Sequence, residues 1–183
     1  MNEHFTEKLN SLIYRSMRLF IIISVFIMTL QSCSVKYSLT GASISPETTS
    51  FQVNYFQNNA PLIEPGIERD FTNKLTDLLI NQTSLELVKS NGNLVYEGEI
   101  IEYRISPTTA TADNRAAQNR LTVAINVRFY DVNDPDSDFE KRFSFYYDYP
   151  ASVQLIGSQK DTALEEIFDR ITQDVFNDSL AKW

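Results

Sequence analysis

Apolar residues follow three different patterns along this chain. The first is a run at residues 19–30, interrupted only by Ser24 and Thr29, preceded by Arg15 and Arg18 and ended by Gln31-Ser32-Cys33. About twelve apolar residues are too few to cross a hydrocarbon layer of ~30 Å as a helix, and they fit the central stretch of a secretory signal. Residues 1–32 are therefore read as a removable leader, 33–50 as a tether rich in Ser, Thr, Gly and Pro, and 51–183 as one domain.

The second pattern has period two. Phe51, Val53 and Tyr55 alternate with Gln52 and Asn54, as in a half-buried strand, and 58–66 with Pro61 and Pro65 ends it. Residues 85–88 read as a short strand or the lead-in to one, and Asn91-Gly92 as a turn. In the strand at 93–105, Val95, Ile101, Tyr103 and Ile105 share one face and Leu94, Tyr96 and Ile100 the other; the alternation slips near Gly98, which predicts a bulge. Residues 107–119 are small and polar and read as a mobile loop. The clearest alternation is at 120–130: Leu121, Val123, Ile125, Val127 and Phe129 oppose Arg120, Thr122, Ala124, Asn126, Arg128 and Tyr130. After an acidic turn at 131–137, Phe139, Phe143, Phe145, Tyr147 and Tyr149 share a face, with Lys141 the polar exception. Glu140, Arg142, Ser144, Tyr146 and Asp148 share the opposite one, and the two strands are expected to pair as a hairpin.

The third pattern is helical. Ile67, Phe71, Leu75, Leu78 and Leu79 mark one face of a helix reaching about Gln82, with Arg69, Lys74 and Asp77 on its wet side. Thr162 and Glu165 have the spacing of a capping box, ahead of a stripe of Leu164, Ile167, Phe168, Ile171 and Val175 continued by Phe176, Leu180 and Trp183. The expected architecture is α+β in the order β-α-β-β-β-α, with two helices on one face of a mixed, mostly antiparallel four-stranded sheet.

Composition narrows the chemistry. Removing the first 32 of 183 residues leaves 151, enough for a domain that buries roughly two thirds of its unfolded surface. The only His (His4) and all three Met (Met1, Met17 and Met28) leave with the leader, and the one Cys, Cys33, becomes the first residue. Leu30-Gln31-Ser32-Cys33 resembles a bacterial lipobox, in which that Cys is acylated. The alternative is an ordinary signal peptide with an incidental Cys, which is awkward in an oxidising compartment. Ser34, in place of Asp, carries no inner-membrane retention signal, so the chain is expected on the periplasmic side of the outer membrane. Translation from Met17, between the two cations, is the alternative start.

A mature chain without imidazole or thiol has no Ser-His or Cys-His pair, no His or Cys metal site and no disulfide. The scattered glycines form no phosphate loop, so no catalytic residue, cofactor or metal is expected. Glu97 with Glu99 is the nearest approach to the paired carboxylates of a hydrolase, with a solvated strand as the plainer reading. Asp131, Asp134 and Asp136 lack the spacing of a calcium loop. Taking Lys8, Arg15 and Arg18 from 16 cations, and Glu3 and Glu7 from 24 anions, leaves 13 against 22, a balance unsuited to nucleic acid.

The post-cysteine stretch YSLTGASISPETTSFQVNYFQNNAPL, the run QTSLELV at 82–88 leading to NGNL at 91–94 and YEGEI at 96–100, NRLT at 119–122, and the closing FND at 176–178 with final AKW at 181–183 resemble, in order, the LptE-type lipopolysaccharide-assembly lipoproteins. The resemblance covers the whole mature chain. It implies a non-enzymatic outer-membrane lipoprotein that sits inside, and helps assemble, an LptD-type β-barrel and assists lipopolysaccharide transport to the outer leaflet, with direct contact to lipopolysaccharide left open. The family's lipid-contacting cations are not carried over to individual positions.

Face geometry supplies the candidates instead. If helices cover the aliphatic faces, then Arg120, Arg128, Tyr130, Arg142 and Tyr146 lie on the free face, where arginine suits bidentate phosphate contact or a barrel wall. The plainer alternative is that Arg128 and Arg142 pair with Glu140 or other carboxylates across strands. A lipid-binding accessory lipoprotein of another envelope transport system is the competing functional reading.

Overall fold

The computed structural model of the chain describes residues 44–110 and 116–181 together with Met17. Apart from Met17, residues 1–43, which hold the expected leader, Cys33 and most of the tether, lie outside the described residues, as do 111–115 and 182–183 with Trp183. In chain order the elements are β1 (Ser50–Val53), β2 (Gln57–Asn58), α1 (Ile67–Gln82), β3 (Glu86–Leu87), β4 (Leu94–Ala110), β5 (Ala116–Asp131), a 3-10 turn (Pro135–Ser137), β6 (Phe139–Pro150) and α2 (Ser158–Leu180).

The class is α+β with two helices and a mixed sheet, but the sheet has six strands rather than four, and the order is β-β-α-β-β-β-β-α. The strands run β3-β1-β4-β5-β6, with β2 pairing β4 off that path. β1 lies parallel to both β3 and β4, while β4, β5 and β6 form an antiparallel meander. The unanticipated β2 pairs only Gln57 with Glu99 and Asn58 with Ile100. Two residues are too few to leave an alternation in sequence, because their pairing is a property of the main chain.

Between β1 and β2 the chain bows, and Phe56 replaces Tyr55 as the inward residue. Tyr55 is exposed, whereas Phe56 is fully buried. The Phe56 N–H donates to Thr72 Oγ1 of α1 at 3.2 Å. Its ring meets Phe71 edge-on at 4.9 Å, and Phe71 meets Phe168 of α2 at 5.4 Å. Three aromatic rings thus tie the sheet edge to both helices, with about 0.5–1.5 kcal/mol per pair beyond simple burial.

The helices sit where their stripes require. Ile67, Phe71, Leu75 and Leu79 of α1 are buried, as are Leu164, Ile167, Phe168, Ile171, Val175, Phe176 and Leu180 of α2. They cover Leu121, Val123, Ile125, Val127 and Phe129 of β5, all fully buried. Helix α2 begins four residues before the expected capping box, at Ser158, and Thr162 Oγ1 donates to the Ser158 carbonyl at 2.9 Å from inside the helix.

Three further differences concern β4 and its hairpin. Its first register shift is a bulge at Ile101, between the pairs Ile100/Ile125 and Glu102/Ala124, not at Gly98, and two more follow between Pro107 and Ala110. Gly98 instead keeps regular pairing with Val127 because of contact: a Cβ there would stand 2.0 Å from the Asn126 carbonyl oxygen and 2.8 Å from the Phe56 ring. The bulge moves Tyr103 under the helices and sends Glu102 and Arg104 to the opposite face. The stretch read as a mobile loop at 107–119 is largely hairpin, with Pro107 opposite Asn119 and Thr109 opposite Gln118. Small polar side chains are compatible with a ladder built from main-chain bonds.

Candidate functional site

Antiparallel registry places the five face candidates together. Arg128 of β5 lies between Glu97 of β4 and Glu140 of β6, and Asn126 between Glu99 and Arg142. Arg120 lies between Ser106 and Asp148, while Tyr146 pairs with Thr122 and Tyr130 with Val95. Residues directly opposite in an antiparallel pair share a face. Among the described residues no helix covers this one.

The four guanidiniums of the face are each held by carboxylates. Arg128 donates from Nε to Glu97 Oε1 at 3.1 Å and from Nη1 to Glu99 Oε2 at 3.0 Å. Arg120 grips Asp148 with two bonds, 2.7 and 2.8 Å, and its guanidinium carbon lies 3.6 Å from the centre of the Tyr146 ring. Glu102 accepts from Arg104 Nε at 2.7 Å and Arg142 Nη2 at 2.6 Å. Asn126 Nδ2 donates to Glu99 at 3.0 Å and Glu140 at 2.7 Å, which stitches β5 to both neighbours.

Protonation equilibria follow. The hydrogen bond from Arg104, assisted by Arg142, holds the Glu102 carboxyl below its ordinary range, against the effect of partial burial. The hydrogen bonds from Arg120 do the same to Asp148, and the arginine is raised in turn. Arg128 is raised by its hydrogen bonds to Glu97 and Glu99.

The structure therefore brings Arg120, Arg128, Tyr130, Arg142 and Tyr146 onto one surface and gives each arginine a carboxylate partner. For Arg128 the partners are Glu97 and Glu99, and for Arg142 it is Glu102, not Glu140. Tyr130 and Tyr146 stay 40% and 44% exposed. Asn126 and Asp148 were already legible as outward positions, whereas Glu102 and Arg104 join the lattice only because of the bulge. The surface is a nearly charge-balanced array that also exposes Tyr130 and Tyr146. A phosphate would have to displace a carboxylate from whichever arginine it took.

The family model described as LptE, lipopolysaccharide-assembly, matches residues 48–179. The chain belongs to the LptE family. Membership places it in lipopolysaccharide assembly, and the match runs from just before β1 to the end of α2. No curated protein matches the sequence. The fold of this LptE-family chain is similar to the hypothetical protein CT253 from Chlamydia trachomatis, with TM-score 0.51 and 11% identity over 74% of this chain and 99% of that one. Weaker likenesses are to the rare lipoprotein B from Shewanella oneidensis, TM-score 0.45 and 9% identity over 69% and 89% of the two chains, and a minor lipoprotein from Acinetobacter baumannii, TM-score 0.46 and 14% identity over 74% and 96%.

Proposed function

We propose that this LptE-family chain is a non-enzymatic outer-membrane lipoprotein, anchored through Cys33 and facing the periplasm, that seats its open sheet face in an LptD-type β-barrel and assists lipopolysaccharide transport. The observation that carries the geometry is the pairing of the arginines. A face whose charges are mutually satisfied loses less on being laid against a protein wall than one that would bury unpaired charges. Tyr130 and Tyr146 supply rigid amphipathic contact area at its rim. The leader and lipobox-like Leu30-Gln31-Ser32-Cys33 support the anchor.

The deciding experiment is affinity capture of the detergent-extracted chain followed by mass spectrometry. A large outer-membrane barrel is expected in the eluate. Abundant lipoprotein without such a barrel would overturn the docking reading. Labelling with a palmitate analogue is expected to vanish in Cys33→Ala, and persistence would remove the anchor. Direct lipopolysaccharide contact is tested on the purified chain without a barrel: retention that falls on charge reversal at Arg128 and Arg142 would favour the accessory lipid-binding role.

A further inference from the structure

The edge of β4 that faces β1 and β2 is only half used. β1 pairs it at Leu94, Val95 and Tyr96, and β2 at Glu99 and Ile100. Beyond Ile100, to Ala110, its only strand partner among the described residues is β5, on the other side.

The backbone phase of that free edge follows from neighbouring bonds. Asn54 N–H donates to the Tyr96 carbonyl at 2.8 Å and Asn59 N–H to the Ile100 carbonyl at 2.9 Å, so even-numbered residues face this side up to Ile100. Main-chain groups alternate between the two sides of an antiparallel strand. The extra residue at Ile101 shifts the phase by one, and from there Tyr103, Ile105 and Pro107 turn their backbone outward. Pro107 agrees with this, since a strand tolerates proline where the missing N–H would face no partner.

A groove of about 520 Å³ runs beside this stretch, floored by Tyr103 and Ile105 and walled by Pro61 and Leu62. Leu62 is 54% and Ile105 43% exposed. The wall is fixed: Asn58 Nδ2 donates to the Glu64 carbonyl at 3.0 Å, and Lys160 of α2 bonds the Glu64 carboxylate at 2.6 Å.

We propose that the β4 edge from Glu102 to Pro107 receives an extended peptide strand of a partner protein, alternating apolar and basic residues, added in line with β2. N–H and C=O groups repeating every second residue, about 6.8 Å apart, are matched by another extended backbone and not by a helix or an acyl chain. Alternate side chains of such a strand enter the groove against Leu62 and Ile105. The others emerge over the open face beside Glu102 and Arg104, and because the chain carries 24 anions against 16 cations, long-range electrostatics favour a basic residue there. The proposal uses the edge of the sheet and is independent of what covers the face.

The test uses the full chain in detergent with the peptide acetyl-KVKVKV-amide, its acidic counterpart EVEVEV, and two analogues N-methylated at either the valines or the lysines. Expected results are saturable binding of the parent, slowed hydrogen exchange at the Tyr103 and Ile105 amides, and binding weakened about tenfold or more for the acidic peptide and for one of the two methylated ones. Ile105→Pro, which removes an edge donor in the phase Pro107 already occupies, is expected to weaken binding similarly. Leu62→Asp, at an exposed position, does the same without touching the ladder. Undiminished binding of both methylated peptides, or of the parent to both folded variants, overturns the proposal. A peptide-free dimer that Ile105→Pro dissociates would assign the edge to a second copy instead and equally overturn it.

Discussion

Tyr96 of β4 donates its hydroxyl proton to Ser179 Oγ of α2 at 3.0 Å, and both residues are buried. Ser179 passes its own proton to the Val175 carbonyl at 2.8 Å. This short relay crosses the core from the sheet to the last turns of the closing helix, and burial pushes the phenol well above its ordinary range. The two ends of the pair are not equivalent. Tyr96→Phe removes a donor and leaves Ser179 bonded to its helix, costing about 1 kcal/mol, whereas Ser179→Ala strands a buried hydroxyl and costs about 1–3 kcal/mol. Urea unfolding of both single variants and the double variant checks this, and the double is expected to cost less than the sum.

Gly98 is required by contact. Its absent side chain leaves room for the Asn126 carbonyl and the Phe56 ring. Gly98→Ala is expected to destabilise by about 3 kcal/mol, at the upper end of overpacking costs. Because the nearest obstacle is main chain, Phe56→Leu added to it is expected to give no recovery in thermal unfolding.

Arg128 holds two carboxylates that would otherwise repel along one strand. Arg128→Ala is expected to lower stability by about 1 kcal/mol in denaturant titration, the range of cross-strand charge pairs. Arg128→Lys restores only part, since one ammonium lacks the planar fork that reaches Glu97 and Glu99 together.

The open face is expected to loosen in acid. Glu102 and Asp148 have depressed pKa values in the fold, so the unfolded chain takes up their protons first as pH falls. Their stabilisation is fully present above the unfolded carboxylate range near pH ~4, and it is lost as pH drops through the lower folded values. Carboxyl NMR titration is expected to place both below free Asp and Glu. Arg104→Gln raises the Glu102 value and Arg120→Gln raises that of Asp148. An unmoved Glu102 in the first variant would deny Arg104 its leading role.

Asn93 Oδ1 accepts from the backbone of Thr49 and Ser50, at 3.0 and 3.2 Å, and from the hydroxyls of both. Asn93→Ala is expected to speed hydrogen exchange at Thr49 and Ser50 by at least about tenfold, with little change in β5, because it releases the entry of the chain into the sheet while leaving the meander intact.

Periodicity carried much of this architecture. The extent of α1, the buried stripe of α2, the inward face of β5 and its pairing with β6 were all legible, because hydrophobic burial imposes a 3.6- or 2-residue repeat that local sequence records. So was the sharing of one face by Arg120, Arg128, Tyr130, Arg142 and Tyr146. What the sequence left open were features without side-chain periodicity: the two-residue β2, paired through main chain alone; the continuation of the hairpin to Ala110 and from Ala116; and the displacement of the bulge from Gly98 to Ile101. The identity of each arginine's partner belonged to the same class. A one-residue shift in register moves every side chain of a strand to the other face, and that register is set by contacts between segments distant in sequence. The apolar run at 19–30, the lone Cys33 and the lack of any His or Met after it are read directly from the sequence. Which carboxylate neutralises which arginine was decided only when β4, β5 and β6 came together, because those partners come from different strands.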